Sequence, residues 1–304
     1  MNGGLFEDFK NAWGKPNNAV VQIILINVVV FAVLNILKVV FYYGQFPGLY
    51  LEYIRPFFTL PSSISSALTK PWTLITYMFS HEGFWHILWN MMMLYWFGRI
   101  IQEFLNSKRV ISIYVLGGIV GGLSYIFVYN AFPNFEQVVA GSTLIGASAG
   151  VVAIVVGAAV FMPNYTFFLM FIGPVKIKYI ALVTVFLSLI QSTGSNAGGE
   201  IAHLGGALVG WLYITQLNKG TDIGSWIISF IQFVKSMFKP QPKIRVTHRT
   251  GNRRPSRKAD KKSKMTSEEP AQAEIDEILD KISQSGYESL SKEEKQKLFN
   301  ASKK

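Results

Sequence analysis

One long apolar run opens with the segment Gly141-Ser-Thr-Leu-Ile-Gly-Ala-Ser-Ala-Gly150, in which four small residues surround Ser148. A membrane-spanning helix has no need of such a group. A serine nucleophile does, since bulky neighbours would block the substrate carbonyl and hold a partner helix away. About 55 residues later, Glu200-Ile-Ala-His-Leu-Gly-Gly-Ala-Leu-Val-Gly210 opens a second glycine-rich helix that carries one histidine. A hydroxyl and an imidazole on two closely packed helices are the parts of a Ser-His hydrolase.

The composition is typical of a membrane protein. Hydrophobic residues make up 50% of the chain and charged residues only 15%, whereas a soluble domain carries about a quarter charged residues. The chain has no cysteine, which excludes disulfides, thiolate catalysis and cysteine-based metal sites. We expect no cleavable signal peptide, because residues 1–18 are polar and mixed and the apolar run that follows is long enough to span.

The positive charge is confined to one segment. Between Lys235 and Lys264 there are twelve Lys and Arg residues and one acid, Asp260, an excess equal to the whole formal charge of +11. The rest of the chain is therefore neutral. This pattern favours contact of one segment with anionic lipid, and it does not predict nucleic-acid binding.

Six stretches reach or approach the roughly 20 residues needed to cross a bilayer. The predicted spans are residues 19–43, 84–104, 110–129, 142–162, 177–190 and 201–217. Lys and Arg are concentrated in the loops on one side, which by the positive-inside rule places both termini in the cytoplasm. We therefore predict an all-α, six-helix bundle in a membrane, and a multi-pass protein of a bacterial plasma membrane.

The chain divides into four predicted parts. Residues 1–18 form a cytoplasmic segment, 19–218 the six-helix membrane domain, 219–270 an interfacial helix with a basic disordered linker, and 271–304 a small helical hairpin. The apolar run from Trp226 to Val234 is too short to span, so it predicts a helix lying on the membrane surface. Ser291 and Glu294 have the spacing of a capping box, which predicts the start of the second helix of the hairpin.

The polar residues of three spans fall at one depth. His86 and Asn90 lie in the first turns of the second span, Ser148 near the start of the fourth and His203 near the start of the sixth. At a rise of 1.5 Å per residue, all four lie roughly 5–12 Å below the same membrane boundary. Polar and ionisable groups inside a membrane are costly, so their coincidence predicts a functional site.

Three motifs make the chain resemble the rhomboid intramembrane serine proteases. They are His81-x-x-x-x-His86-x-x-x-Asn90, Gly146-Ala-Ser-Ala149 and His203-x-x-Gly206-x-x-x-Gly210, on the second, fourth and sixth spans in the order of the family. The resemblance covers roughly residues 19–218 and implies a six-helix rhomboid fold. Two positions depart from the family pattern: Ala149 replaces a glycine, and Val152 stands where relatives often carry an aromatic that stacks on the catalytic histidine.

The resemblance and the chemistry assign the same reacting groups. Ser148 would be the nucleophile, and His203 would act first as general base and then as general acid. No aspartate occurs between Asp8 and Asp222, so we predict a dyad whose imidazole is held by packing. Which side chain orients His203 stays open at this point.

The histidines of the second span are predicted to have different roles. His86 and Asn90 are four residues apart on one helix face, so both can donate to a developing oxyanion, and the resemblance implies that the Ser148 backbone N–H completes the hole. On an ideal helix His81 would point roughly 140° away from His86. The resemblance identifies His81 as an anchor of a loop.

The glycines of the motifs are predicted to be structural. Gly206 and Gly210 form a GxxxG pair, which lets the sixth span approach the fourth closely. Gly146 and Gly150 present the complementary small-residue face.

These observations predict a serine endopeptidase that cleaves single-pass membrane proteins near the outer face of the bilayer, without a cofactor. The alternative is a non-catalytic rhomboid-like adaptor that binds membrane proteins, but the presence of both Ser148 and His203 favours the enzyme. A zinc site on the histidines is disfavoured, because two of them would diverge and no cysteine or carboxylate joins them at that depth. Glu82 and Glu200 near the boundary could contribute ligands, so zinc stays a minor alternative. A transporter would show internal repeats and broken helices, which the sequence lacks.

Overall fold

The long helices follow the apolar runs of the sequence. The computed structural model describes residues 11–169, 172–238, 269–285 and 287–301. Each predicted span overlaps one long helix, in the same order along the chain. They are α1 Ala19–Tyr43, α2 Phe84–Leu105, α3 Ser107–Ala131, α4 Ser148–Phe161, α5 Ile177–Gln191 and α6 Ala197–Asn218.

The helices differ in how well they fit a bilayer. Within the described part of the chain, α1 and α3, each of 25 residues, are the two that are both long and apolar enough to cross it. Helix α4 has 14 residues, a length of roughly 21 Å at 1.5 Å per residue. The predicted helical class and membrane-type helices are thus confirmed, whereas six crossings stay a prediction.

The fourth helix begins later than predicted. The predicted span starts at residue 142, but α4 starts at Ser148, and strand β2, Thr143–Leu144, pairs antiparallel with β1, Leu60–Pro61. Between strand and helix, Gly146 has a φ of 129°, which L side chains rarely adopt. This turn prevents the helix from continuing backwards and leaves Ser148 as its first residue.

Short elements fill the loops. Strand β3, Thr166–Leu169, pairs antiparallel with β4, Gly173–Lys176. Helical turns lie at Pro47–Leu49, Tyr50–Ile54, Arg55–Phe57, Ile64–Thr69, Thr73–Thr76, Tyr77–Phe79 and Pro133–Phe135. Most of them belong to the connection between α1 and α2, which the β1–β2 pair ties to the segment that precedes Ser148.

Helices α3, α4 and α6 contact one another through small residues. A Cβ atom added to Gly121 of α3 would lie 2.6 Å from the Cβ of Ala149 in α4 and 2.7 Å from the carbonyl oxygen of Ala202 in α6. Because real Cβ atoms almost never approach that closely, this junction requires glycine. The close packing fixes the helices that carry Ser148 and His203 against a common neighbour.

The segment after α6 is bound to the helices. Asp222 accepts a hydrogen bond from the Tyr213 hydroxyl at 2.9 Å and pairs with Arg109. The Ser112 hydroxyl donates to the Gly224 carbonyl at 3.1 Å. The predicted domain end at residue 218 stays a prediction, but these contacts show that residues up to Gly224 pack on α3 and α6.

Helix α7, Ser225–Phe238, contains the run that predicted a surface helix. Its Trp226, Phe230 and Phe233 side chains are exposed, whereas Ile227 is buried. One apolar stripe therefore faces outward from the protein. The helix itself is confirmed, and its place on a membrane surface stays a prediction.

The C-terminal part, Pro242–Lys304, is a separate unit. Its helices are α8, Glu269–Ser285, and α9, Lys292–Ala301. The Ser291 N–H donates to the Glu294 carboxylate at 2.7 Å, and the Glu294 N–H donates to the Ser291 hydroxyl at 3.2 Å, which is the predicted capping box. Gly286, predicted to end the first helix, and residues 239–268 of the predicted basic linker lie outside the described residues.

Candidate active site

The loop before α4 holds Ser148 at the mouth of a cleft. The Gly146 N–H donates to the Tyr77 carbonyl at 3.0 Å, and the Ala147 N–H faces the His81 Nε2 atom at 3.4 Å. A Cβ atom on Gly146 would lie 2.8 Å from the His86 Nε2 atom. Glycine is therefore required at position 146 for two reasons: the backbone has a positive φ there, and a side chain would occupy the space of His86.

His81 lies beside the site and contacts the serine loop. Its imidazole is buried, and it accepts the hydrogen bond from Ala147 described above. Burial lowers the pKa of His81 to about 3, and the nearby His86 adds to this effect, so the neutral ring keeps a nitrogen free to accept. This contact fits the loop-anchoring role that the resemblance implied.

The predicted divergence of His81 and His86 is wrong. The two ring centroids are 4.9 Å apart, in an edge-to-face arrangement. The angle of 140° assumed a continuous helix, but α2 begins at Phe84, so His81 belongs to the preceding loop and not to the helix. The loop turns its imidazole back toward His86.

His86 and Asn90 both line the cleft, as their spacing on one helix face predicted. The Asn90 side-chain amide donates to the His86 carbonyl at 2.9 Å, and the residue is only 7% exposed. An amide nitrogen carries two hydrogens, so this bond leaves one for a ligand. The backbone N–H of Ser148, at the first turn of α4, has no acceptor within its own helix.

Ser148 and His203 share one cleft of about 610 Å³. The lining residues are Arg55, Glu82, His86, Asn90, Tyr125, Tyr129, residues 142–145, Ser148, Ser195, Asn196, Gly198, Gly199 and His203. Among the described atoms no hydrogen bond joins Ser148 to His203. Catalytic hydrogen bonds in unliganded sites are commonly long and shorten when the substrate binds. The ion pair of Arg55 and Glu82, 2.8 Å long, lies at this cleft and was not predicted.

A carboxylate and a hydroxyl contact the Nδ1 atom of His203. The Nδ1 atom of His203 lies 3.1 Å from the Glu200 Oε2 atom and 3.1 Å from the Ser188 Oγ atom. The prediction that packing alone orients the imidazole is therefore wrong. Glu200 and His203 are three residues apart and share a helix face, so their spacing in the sequence could have revealed this contact.

Gly206 and Gly210 lie where α6 crosses α4. A Cβ atom on Gly206 would overlap the Ala149 carbonyl oxygen and lie 2.9 Å from the carbonyl carbon. A Cβ atom on Gly210 would overlap the Ala153 carbonyl in the same way. The backbones of the two helices therefore touch at the residue that follows Ser148, which brings the serine and histidine helices as close as the GxxxG pattern predicted.

The motifs and this geometry agree with a comparison against known families. Residues 68–219, half of the chain, match the family described as "Rhomboid domain". The chain belongs to the rhomboid family. The serine and histidine motifs all lie within the matched region, and the chain is a rhomboid-family membrane protein. Residues 267–304, which include the C-terminal helical hairpin, match a second family, described as a family of unknown function (DUF6576).

Rhomboid relatives come from several organisms. "RHOMBOID-like protein 12, mitochondrial" of Arabidopsis thaliana is 31% identical over 159 residues, covering 49% of this chain and 47% of that protein. "Rhomboid protein 1, mitochondrial" of Saccharomyces cerevisiae is 25% identical over 216 residues, covering 68% and 55%. "Rhomboid protease GluP" of Bacillus subtilis is 26% identical over 165 residues, covering 54% and 30%. The chain thus spans about half the length of the first two relatives.

These relatives contradict the predicted location. Two of them are mitochondrial proteins of eukaryotes, and they point to a eukaryotic organellar membrane instead of a bacterial plasma membrane. The positive-inside pattern relates the loops to the two sides of a bilayer and does not identify which membrane that is. The prediction of a bacterial plasma membrane with cytoplasmic termini is therefore wrong.

If this rhomboid site hydrolyses peptide bonds, removing the Asn90 amide is expected to slow the reaction without unfolding the protein. Asn90→Ala should lower kcat roughly 10–1,000-fold, around the effect of losing one oxyanion donor. Asn35→Ala is the matched control, because the Asn35 amide makes the same bond to a carbonyl four residues earlier, at 2.8 Å, in α1. Steady-state cleavage kinetics in detergent measure the effect. Equal kcat values for the two variants would make Asn90 a packing residue.

Proposed function

We propose that this rhomboid-family chain is an intramembrane serine endopeptidase with Ser148 as nucleophile and His203 as general base. The observation that carries this proposal is the shared cleft: a serine at the first turn of α4 and a histidine of α6 line it together with His86 and Asn90. These are the groups that acyl transfer requires, namely a nucleophile, a base and donors for an oxyanion.

The proposed reaction follows the chemistry of serine hydrolases. The Ser148 oxygen attacks the substrate carbonyl carbon while its proton passes to the His203 Nε2 atom. The carbonyl oxygen becomes an oxyanion, which accepts hydrogen bonds from Asn90, His86 and the Ser148 amide. The C–N bond then breaks as His203 protonates the leaving amine. Water, deprotonated by His203, hydrolyses the acyl-enzyme and regenerates the serine.

The proposed substrates are single-pass membrane proteins, cut near the membrane face that lies closest to the cleft. This assignment supposes that α1 to α6 all cross the bilayer, which puts Ser148 below one boundary by roughly two helical turns or less. A helical substrate hides its carbonyls in its own hydrogen bonds, so the cut segment must unwind. Substrates with small or helix-breaking residues near the cut are therefore expected to react fastest.

Lipid is the second proposed partner. The exposed aromatic residues of α7 and the basic segment that follows it combine apolar burial with attraction to anionic headgroups. Each Lys or Arg near an anionic surface contributes about 1 kcal/mol.

The proposal is tested with the purified full-length chain in detergent and a single-pass substrate that has small residues at the membrane boundary. Mass spectrometry of the products should show one or a few cuts near that boundary. Binding of the substrate without any cut, by a chain shown to be folded, would instead favour the non-catalytic adaptor.

A chain that ends at Phe238 is expected to keep its cleavage activity in detergent. This truncation removes most of the basic segment and the C-terminal unit but no residue of the cleft. A chain that ends at Lys219 is the comparison, since it also loses the Asp222 and Gly224 contacts to α3 and α6, and we expect a lower Tm. Equal Tm values for the two truncations would contradict the stabilising role of those contacts. Loss of cleavage by a folded chain ending at Phe238 would show that the site depends on the tail.

A further inference from the structure

Glu200 is an acid that neither the family motifs nor the proposed reaction uses. It lies in the first turn of α6, is only 9% exposed, and precedes His203 by three residues. Its Oε2 atom is 3.1 Å from the His203 Nδ1 atom, and its Oε1 atom is 3.5 Å from the Asn196 amide nitrogen. Both carboxylate oxygens therefore have a donor, and one of these donors is the imidazole of the candidate site.

A favourable interaction with the helix dipole does not by itself explain this arrangement. An exposed acid in the first turn of a helix gains only modest stabilisation from the dipole. A buried carboxylate loses its hydration, and this loss outweighs that gain unless hydrogen bonds and an opposite charge replace the water. Within the described residues, the one ionisable group that pairs with Glu200 is His203. The burial of Glu200 is therefore explained by its pairing with His203 in the candidate site.

We propose that Glu200 is a positioning residue that makes the site a Ser-His-Glu triad; the inference rests on the proposed protease function. The Glu200 carboxylate accepts a hydrogen bond from the Nδ1–H group of His203. This contact selects the imidazole tautomer whose Nε2 atom is unprotonated and can take the proton of Ser148. The Ser188 Oγ atom of α5 lies 3.1 Å from the same Nδ1 atom, so it can share that hydrogen and limit rotation of the ring from a second helix.

The triad also accounts for Val152. Relatives often carry an aromatic at this position that stacks on the catalytic histidine, but valine offers no ring to stack. Glu200 and Ser188 supply in its place two polar contacts to the one nitrogen of His203 that does not react. As the proton arrives on Nε2, the carboxylate stabilises the resulting imidazolium, which a stacked ring does only weakly.

Kinetics of Glu200→Gln test the proposal, because glutamine keeps the shape of the side chain and removes its charge. We expect kcat to fall roughly 10–1,000-fold with KM and Tm little changed, less than the ~10⁴-fold loss for the aspartate of a serine protease triad, because Ser188 still holds the ring. Glu200→Asp should recover part of the loss. Glu103→Gln is the control, since it removes one exposed acid near the C-terminal end of α2, opposite the end that carries His86 and Asn90. Unchanged kcat in Glu200→Gln, or a loss that parallels a fall in Tm, would overturn the assignment.

Nitrogen-15 NMR of the imidazoles tests the same contact without any activity. The His203 signals, assigned by their absence from His203→Ala, should report the Nδ1–H tautomer in the wild-type protein and a shift toward Nε2–H in Glu200→Gln. A wild-type protein in the Nε2–H form would refute the triad, even if the protein cleaves substrate. A protein in the Nδ1–H form that cleaves nothing would uphold the Glu200 contact and refute the proposed function, so the two failures are distinguishable.

Discussion

Ser148→Ala and His203→Ala are each expected to abolish cleavage, with at least about a 10³-fold loss of kcat. Without the hydroxyl no covalent acyl-enzyme forms, and without the imidazole nothing takes the serine proton at neutral pH. Cleavage of a single-pass substrate in detergent, followed by quantitative gel analysis, measures the loss. Ser229→Ala is the control, because the exposed Ser229 hydroxyl only donates to a carbonyl of its own helix, α7, and should leave kcat unchanged.

The double variant sharpens this test. If Ser148 and His203 act as one unit, removing both should cost no more than removing either alone. Independent roles would instead multiply the two losses. Residual cleavage above a few per cent in Ser148→Ala would exclude Ser148 as the nucleophile. A double variant whose loss of kcat equals the product of the two single losses would show that the residues do not act in one step.

The sequence predicted the parts of the fold that depend on local hydrophobicity. Helix α1 has the predicted bounds, Ala19–Tyr43, because most of its residues are apolar and it lies between Asn18 and Gly44. The start of α4 was missed by six residues. The run before Ser148 has no charge or proline that would end a helix, and what makes part of it a strand is pairing with Leu60, a residue more than 80 positions earlier. Such long-range pairing leaves no local signal.

The candidate site was predictable to the extent that its groups are rare in membrane helices. Ser148, His203, His86 and Asn90 stand out against apolar neighbours, and all four line the cleft. Glu200 had no role in the predicted dyad, because a glutamate near a helix start is commonly explained by the helix dipole. The direction of the His81 ring depends on a loop, whose path spacing alone cannot give.

Gly206→Ala is expected to lower both the stability and the activity of the protein, although helix propensity argues for the opposite. Alanine is more favourable than glycine inside a helix by about 0.8–1.0 kcal/mol. At Gly206, however, the added methyl group would overlap the Ala149 carbonyl oxygen, and a backbone carbonyl cannot rotate away. Overpacking typically costs 1–3 kcal/mol and more when backbone must move. The steric overlap should therefore outweigh the gain in helix propensity and lower the free energy of unfolding.

Gly157→Ala is the matched control for this prediction. Gly157 lies in α4 on the same α4–α6 interface, but a Cβ atom there would be 3.5 Å from the nearest Ile214 atom, an ordinary contact. Helix propensity should decide its effect, so we expect Gly157→Ala to keep full activity and to raise the Tm slightly. Thermal unfolding in detergent and cleavage kinetics compare the two variants. If Gly206→Ala were as stable and active as Gly157→Ala, the backbones of α4 and α6 would not touch beside Ser148. The distance between the nucleophile and its base would then have to be set by other contacts.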